Sequence, residues 1–108
     1  MATHEEVEAL FTHMQDKFNP EKAEGLDAVI QFDLVGEGGG KYWLKISNGT
    51  LNYGEGTDPA PRMTVRGSTD DFVALMNGKL QPMQAFMLGK IKVAGDTSLA
   101  MRLMPLIS

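Results

Sequence analysis

Apolar residues near the N-terminus recur with the period of an α-helix, and the chain begins with a helix start signal. The residues that share one face of this helix are Val7, Leu10, Phe11, Met14 and Phe18. Thr3 and Glu6 have the spacing of a capping box, in which each side chain binds a free backbone N–H of the first turn. We therefore predict an amphipathic helix that ends near Asn19-Pro20, since proline disfavours a helical residue before it.

After this helix the hydrophobic period changes to two, which is typical of β-strands with one buried face. The predicted strands are Asp27 to Val35, Lys41 to Ser47, Thr50 to Tyr53, Arg62 to Arg66 and Lys90 to Ala94. Asn48-Gly49 predicts a tight hairpin, because both positions of a type I′ turn require positive φ. The first four strands are expected to form an antiparallel meander.

Helical periodicity returns in the second half of the chain. Ser68 is predicted to cap a helix with the apolar stripe Phe72, Leu75 and Met76. A short helix follows from Pro82, with Met83, Phe86 and Met87 on one face. Asp96 is predicted to cap a last helix that runs to about Met104, before Pro105. Because strands and helices do not alternate strictly, the pattern predicts one α+β domain over residues 1–108, with helices on one face of the sheet.

Composition and charge exclude several classes of function. The net charge is −4, and the ten Lys and Arg form no concentrated basic footprint of the kind that binds nucleic acid. The chain has no cysteine, its N-terminus is acidic where a signal peptide would be basic, and no apolar run approaches the ~20 residues of a membrane span. These features predict a soluble, cytoplasmic protein.

The sequence contains no recognisable catalytic or metal-binding motif. Only three residues separate Gly36 from the Gly40-Lys41 pair, whereas a phosphate-binding Walker loop needs four between its first glycine and its Gly-Lys pair. His4 and His13 lie on opposite faces of the first helix, so they cannot share a metal, and both are expected to be exposed to solvent. We therefore predict no catalytic residue, no metal site and no cofactor.

The C-terminal third is rich in methionine and in apolar helix positions. Six of the eight methionines lie at or after Met63, and methionine adapts to irregular or variable neighbours. From Leu99 to Ile107 apolar residues cover more of the helix circumference than one sheet contact requires. A lid over an apolar cavity, a dimer contact and a hydrophobic C-terminal tail would each use such a helix.

Two motifs in this region resemble the sterol carrier protein type 2 domain family. They are Gly78-Lys79-Leu80-Gln81-Pro82 and the passage Phe86-Met87-Leu88-Gly89-Lys90-Ile91-Lys92-Val93-Ala94-Gly95-Asp96. The resemblance extends less specifically over the whole chain. It implies a five-stranded, mainly antiparallel sheet layered with about four to five helices around a hydrophobic tunnel. It also implies binding or transfer of a fatty acid, fatty acyl-CoA or sterol-like lipid, without catalytic residues.

The resemblance and the apolar pattern together give a candidate ligand site. The residues expected to line the tunnel are Phe72, Leu75, Met76, Met83, Phe86, Met87, Leu99, Leu103 and Met104, with Ile91 and Val93 as the sheet floor. Lys90, Lys92 and Arg102 are available for an anionic headgroup or a transient contact with a membrane surface.

The alternative function is a structural or interaction domain that dimerises through its apolar last helix, so a monomer and a weak homodimer both stay open. A small hydrolase acting on acyl esters is a third hypothesis, without a nucleophile and base to support it. The chain resembles free-standing bacterial or archaeal members of the family. Its ending, Leu106-Ile107-Ser108, is not a peroxisomal import tripeptide, so import into peroxisomes is not expected.

Overall fold

A computed structural model describes residues 1–107, and the side chains of all of these except Met104, Pro105 and Ile107. The helices are α1 (His4–Lys17), α2 (Thr69–Met76), α3 (Pro82–Met87) and α4 (Ser98–Ile107). The strands are β1 (Ala28–Val35), β2 (Gly40–Ser47), β3 (Thr50–Glu55), β4 (Met63–Ser68) and β5 (Ile91–Gly95). The predicted order of elements and the α+β class are confirmed.

The five strands form one sheet in the order β3-β2-β1-β4-β5. All neighbours pair antiparallel except β1 and β4, which run parallel, with Ile30 opposite Met63 and Phe32 opposite Val65. The prediction of a mainly antiparallel five-stranded sheet is therefore confirmed. The predicted meander is wrong at its fourth strand, because β4 pairs with β1 instead of following β3.

The connection from β3 to β4 crosses the sheet on the face opposite the helices, and a buried glutamine holds it there. Gln31 lies in the middle of β1 and is only 2% exposed. Its side-chain Nε2 donates to the Gly56 carbonyl oxygen at 3.0 Å, and its Oε1 accepts from the Asp58 N–H at 2.9 Å. The Arg62 N–H then donates to the Val29 carbonyl at 2.9 Å, which starts the parallel pairing. The polar face of β1 is thus covered by this loop.

Helix α1 packs on the other face of the sheet through an aromatic cluster centred on Phe11, which is 0% exposed. The Phe11 ring stacks on Tyr42, Tyr53 and Phe72 at centroid distances of 5.0, 5.7 and 5.9 Å. It also meets the Phe32 ring edge-on at 5.3 Å. Because these partners come from β2, β3, α2 and β1, one residue joins α1 to most of the fold.

The local signals for helix starts and for the hairpin are confirmed. The Thr3 hydroxyl accepts from the Glu6 N–H at 3.1 Å, and the Thr3 N–H donates back to the Glu6 carboxylate at 3.2 Å. Ser68 caps α2 by accepting from the Asp71 N–H at 3.1 Å. Asn48 and Gly49 have φ angles of 54° and 75°, as a type I′ turn requires.

Helix α4 is longer than predicted, because it continues through Pro105 to Ile107. A proline inside a helix removes the backbone hydrogen bond of its own nitrogen. Here that loss falls in the final turn, where the helix has almost ended. At the other end the Asp96 carboxylate accepts from the Ser98 N–H at 3.2 Å, as predicted. The Ser98 hydroxyl and Arg62 also bond this carboxylate, and together they lower the pKa of Asp96 from its usual value.

Candidate functional site

Most of the predicted ligand residues lie in the apolar layer between the helices and the sheet. Phe72 on α2, Ile91 on β5, and Leu99 and Leu103 on α4 are buried, with exposed fractions between 1% and 7%. Leu75, Met76 and Val93 are partly buried and pack against the same core. Three separate elements therefore contribute apolar side chains to one continuous layer. The side chain of Met104, also predicted for this site, lies outside the described part of the chain.

The other three predicted ligand residues lie on the outside of the molecule. Met83, Phe86 and Met87 on α3 are 72%, 42% and 81% exposed, respectively. Only Ala85 of this helix is buried, and it is 0% exposed. Helix α3 therefore contacts the body of the domain through a small residue and presents its long apolar side chains to solvent.

Two clefts open at the surface near the helices and the hairpin. One, of about 360 Å³, lies between α1 and α2 and includes Leu10, Val73 and Met76 in its lining. The other, of about 530 Å³, lies between residues 20–27 and the Asn48-Gly49 turn. Among the predicted ligand residues whose side chains the structure describes, Met76 alone borders either of these two clefts. The enclosed tunnel itself stays a prediction.

A polar cluster at the start of α1 was not predicted. The His4 Nε2 atom lies 3.2 Å from a Glu8 carboxylate oxygen and 3.1 Å from a Glu55 carboxylate oxygen. The His4 Nδ1 atom is 2.9 Å from the Tyr42 hydroxyl. Burial of the ring, with the charges of Glu55 and Glu8 beside it, raises the pKa of Tyr42. The cluster ties the first turn of α1 to the sheet.

The sequence alone could have predicted the contact between His4 and Glu8, because residues four apart lie on one face of a helix. Glu55 comes from a distant strand, and only the fold brings it near. Within the described residues, His4, Glu8 and Glu55 are the group close enough to hold a metal ion, since their possible ligand atoms all lie within 4.8 Å of one another. All three residues are exposed, and the two carboxylates both lie within hydrogen-bond distance of the same His4 ring nitrogen, which accounts for the arrangement. The expectation that the chain has no metal site stays a prediction.

Comparison with known proteins decides the family. A sequence model of the SCP-2 sterol transfer family matches residues 7–108. The chain belongs to this family. Hydroxysteroid dehydrogenase-like protein 2 of Bos taurus is 40% identical over 104 residues, which cover 94% of this chain and 25% of that protein. This chain thus spans about a quarter of that relative, whose name describes a much longer protein.

Solved structures of the SCP-2 family share the fold. Palmitated SCP2L2 from Aedes aegypti superimposes with a TM-score of 0.75 at 21% identity, covering 99% of this chain and 95% of that one. The sterol carrier protein domain 2 of Helicoverpa armigera gives a TM-score of 0.67 at 29% identity, covering 92% and 80%. The sheet-and-helix architecture described above is therefore the SCP-2 fold. In the described residues no helix has both the length and the apolar character to cross a membrane.

Proposed function

We propose that this protein binds the fatty chain of a lipid and carries it without catalysing a reaction. The observation that carries the proposal is membership of the SCP-2 family over residues 7–108, in a fold whose α2, β5 and α4 share one apolar layer. A relative with this fold is described as palmitated, which supports a fatty acid as the ligand class. Fatty acyl-CoA and sterol-like lipids are the other candidates.

The ligand is proposed to lie between α2 and α4, above β5. In this arrangement Phe72, Leu75, Met76, Leu99, Leu103 and Met104 form the walls, and Ile91 and Val93 form the floor. Each methylene removed from water contributes ~0.8 kcal/mol, so an acyl chain needs no catalytic or strongly polar group to be held. Met83, Phe86 and Met87 then form the outer rim of the site on α3.

Entry of a ligand requires a movement, because the inner residues of this layer are almost fully buried. Displacement of α4 is the proposed route. This helix follows the Gly95 turn and contacts α1, and the carbonyl of Leu106 accepts from the Asn19 N–H at 3.2 Å. Moving α4 away would expose Leu99 and Leu103 without breaking any strand pairing of the sheet.

The direct test is uptake of a fluorescent fatty acid by delipidated protein at micromolar concentration. The wild-type protein is expected to bind, and Met76→Glu is expected to bind at least about tenfold more weakly, because a carboxylate at a partly buried apolar position is desolvated. Val35→Glu is the matched control, since Val35 is 57% exposed and lies outside the proposed site. Thermal unfolding of both variants checks that they fold.

Failure of the delipidated wild-type protein to take up any fatty acid would count against lipid binding as a whole. Equal affinity of Met76→Glu and the wild-type protein would contradict the proposed location. Native mass spectrometry of the protein as purified gives an independent readout, since a co-purifying lipid appears as added mass.

A second candidate function is homodimerisation through α4, and the exposure of Met101 favours it. Met101 is 83% exposed on a helix whose Leu99, Leu103 and Leu106 are buried, so a large apolar side chain points away from the core. If α4 is a dimer contact, light scattering is expected to show a concentration-dependent dimer that Met101→Glu converts to a monomer. A monomer at all concentrations would exclude this function.

A further inference from the structure

Exposed apolar side chains are concentrated at one place on the surface. Of the seven large hydrophobic side chains that are exposed among those the structure describes, four lie within six consecutive positions. We call this group the α3 patch: Met83, Phe86, Met87 and Leu88, with exposed fractions of 72%, 42%, 81% and 67%. Soluble proteins rarely leave contiguous apolar surface uncovered unless it meets a partner, a ligand or a membrane.

The charge around the α3 patch is positive in a chain that is negative overall. Residues 1–71 contain thirteen Asp and Glu against six Lys and Arg, whereas residues 72–108 contain one Asp against four Lys and Arg. No acidic residue occurs between Phe72 and Gly95. Lys79 and Lys90 flank α3 in the chain, and both are exposed. Lys79 lies three positions before the start of α3 at Pro82, and Lys90 lies three positions after its end at Met87.

The first helix cannot supply a comparable surface. The apolar face of α1 is used by the core, since Val7, Phe11 and Met14 are at most 1% exposed. Helix α4 likewise buries Leu99 and Leu103. Helix α3 differs from both, because its only buried side chain is that of Ala85.

We propose that the α3 patch, together with Lys79 and Lys90, is the surface on which this protein docks to an anionic lipid bilayer. Apolar side chains of an interfacial helix insert at the boundary between headgroups and acyl chains, and nearby lysines meet anionic headgroups. The inference rests on the proposed function, because a carrier of fatty chains must meet the bilayers that supply and receive them. In this arrangement the α3 residues at the rim of the proposed ligand site face the bilayer.

Charge favours a bilayer over a second copy of this chain as the occupant. A two-fold dimer would place the same patch against itself. Lys79 and Lys90 of one copy would then face Lys79 and Lys90 of the other, without a carboxylate from residues 72–95 to neutralise them. An anionic bilayer instead supplies both the apolar medium and the opposite charge.

The test measures binding of ligand-free protein to vesicles by flotation. Vesicles of phosphatidylcholine with phosphatidylserine are expected to bind the protein, pure phosphatidylcholine vesicles much less, and added salt is expected to weaken binding. Leu88→Glu and Lys79→Glu are each expected to lower the partition coefficient by about tenfold. Val35→Glu and Lys41→Glu are matched controls, because they place the same residue at exposed positions on β1 and β2, outside α3, and they should change the partition coefficient less than about twofold.

A second measurement separates this inference from lipid binding itself. Uptake of fluorescent fatty acid in vesicle-free solution is expected to be the same for Leu88→Glu, Lys79→Glu and the wild-type protein. If the protein takes up fatty acid but does not bind vesicles, the docking surface is overturned and the carrier function still stands. If it binds vesicles but takes up no fatty acid, the carrier function is overturned and the docking surface still stands. Equal loss in test and control variants, or a dimer that Leu88→Glu dissociates, would also overturn the assignment to a bilayer.

Discussion

Replacing Phe11 by alanine is expected to lower the free energy of unfolding by about 4 kcal/mol, the larger of the two main stability effects. Phe11 is fully buried, and its ring contacts four other aromatic rings within 6 Å. Its removal leaves a cavity between α1 and the sheet that the rigid rings around it cannot fill. Urea unfolding followed by circular dichroism measures the change, and the midpoint should move to much lower urea.

Phe86→Ala is the matched control for this prediction, because it removes the same side chain from a position that is 42% exposed. We expect a loss of less than about 1 kcal/mol there, since little buried apolar surface is given up. Similar losses in the two variants would contradict the assignment of Phe11 to the centre of the core and of Phe86 to the surface.

Replacing Gly95 by alanine is expected to lower the free energy of unfolding by about 3 kcal/mol. Gly95 has a φ of +88°, and a Cβ atom there would lie 2.5 Å from the Arg62 carbonyl oxygen. That oxygen belongs to the backbone and also accepts from the Asp96 N–H at 2.7 Å, so it cannot move aside easily. The turn between β5 and α4 would be distorted, and thermal or urea unfolding would report the loss.

Gly89→Ala separates the two parts of this effect. Gly89 also has a positive φ of +70°, but a Cβ atom there would have nothing within 4 Å. Only the conformational strain of about 1 kcal/mol is expected at this position. If the two alanine variants were equally stable, the close approach of the Arg62 carbonyl to Gly95 would not be a determinant of the fold.

Local sequence signals predicted the elements of this fold well, because each depends on residues that are close along the chain. The capping box of Thr3 and Glu6, the cap at Ser68 and the turn at Asn48-Gly49 all have the predicted geometry. At the two caps a side chain forms a hydrogen bond with a nearby backbone N–H, and at the turn Asn48 and Gly49 adopt positive φ angles. Neither requirement depends on the rest of the fold.

The partner of β4 was not predictable in this way. An alternating strand pattern shows which side chains are buried, but it does not show which strand lies beside it. The parallel pairing of β4 with β1 depends on the loop that Gln31 holds across the sheet. Gln31 itself has the sequence appearance of an exposed polar residue, since it alternates with Ile30 and Phe32.

At the candidate site, too, a periodic pattern shows which residues share a face but not what that face contacts. Phe72, Leu75 and Met76 on α2 and Met83, Phe86 and Met87 on α3 have the same helical spacing. The spacing shows that each set shares a face, and the structure shows that α2 packs inward while α3 faces solvent. The motif resemblance identified the family, which the match over residues 7–108 confirms. The roles of the individual ligand residues stay predictions.

The parallel pairing of β1 with β4 also has a consequence for the order of folding. Ile30 meets a partner thirty-three residues away at Met63, whereas the β2–β3 hairpin closes with Ser47 opposite Thr50. Short loops close sooner than long ones, so the β1–β2–β3 unit is expected to form first and the β4 ladder later. The elements of the proposed lipid site, α2, β5 and α4, all follow β4 in the chain. The proposed site is therefore expected to assemble in the half of the molecule that folds late, and local opening of that half would admit a ligand.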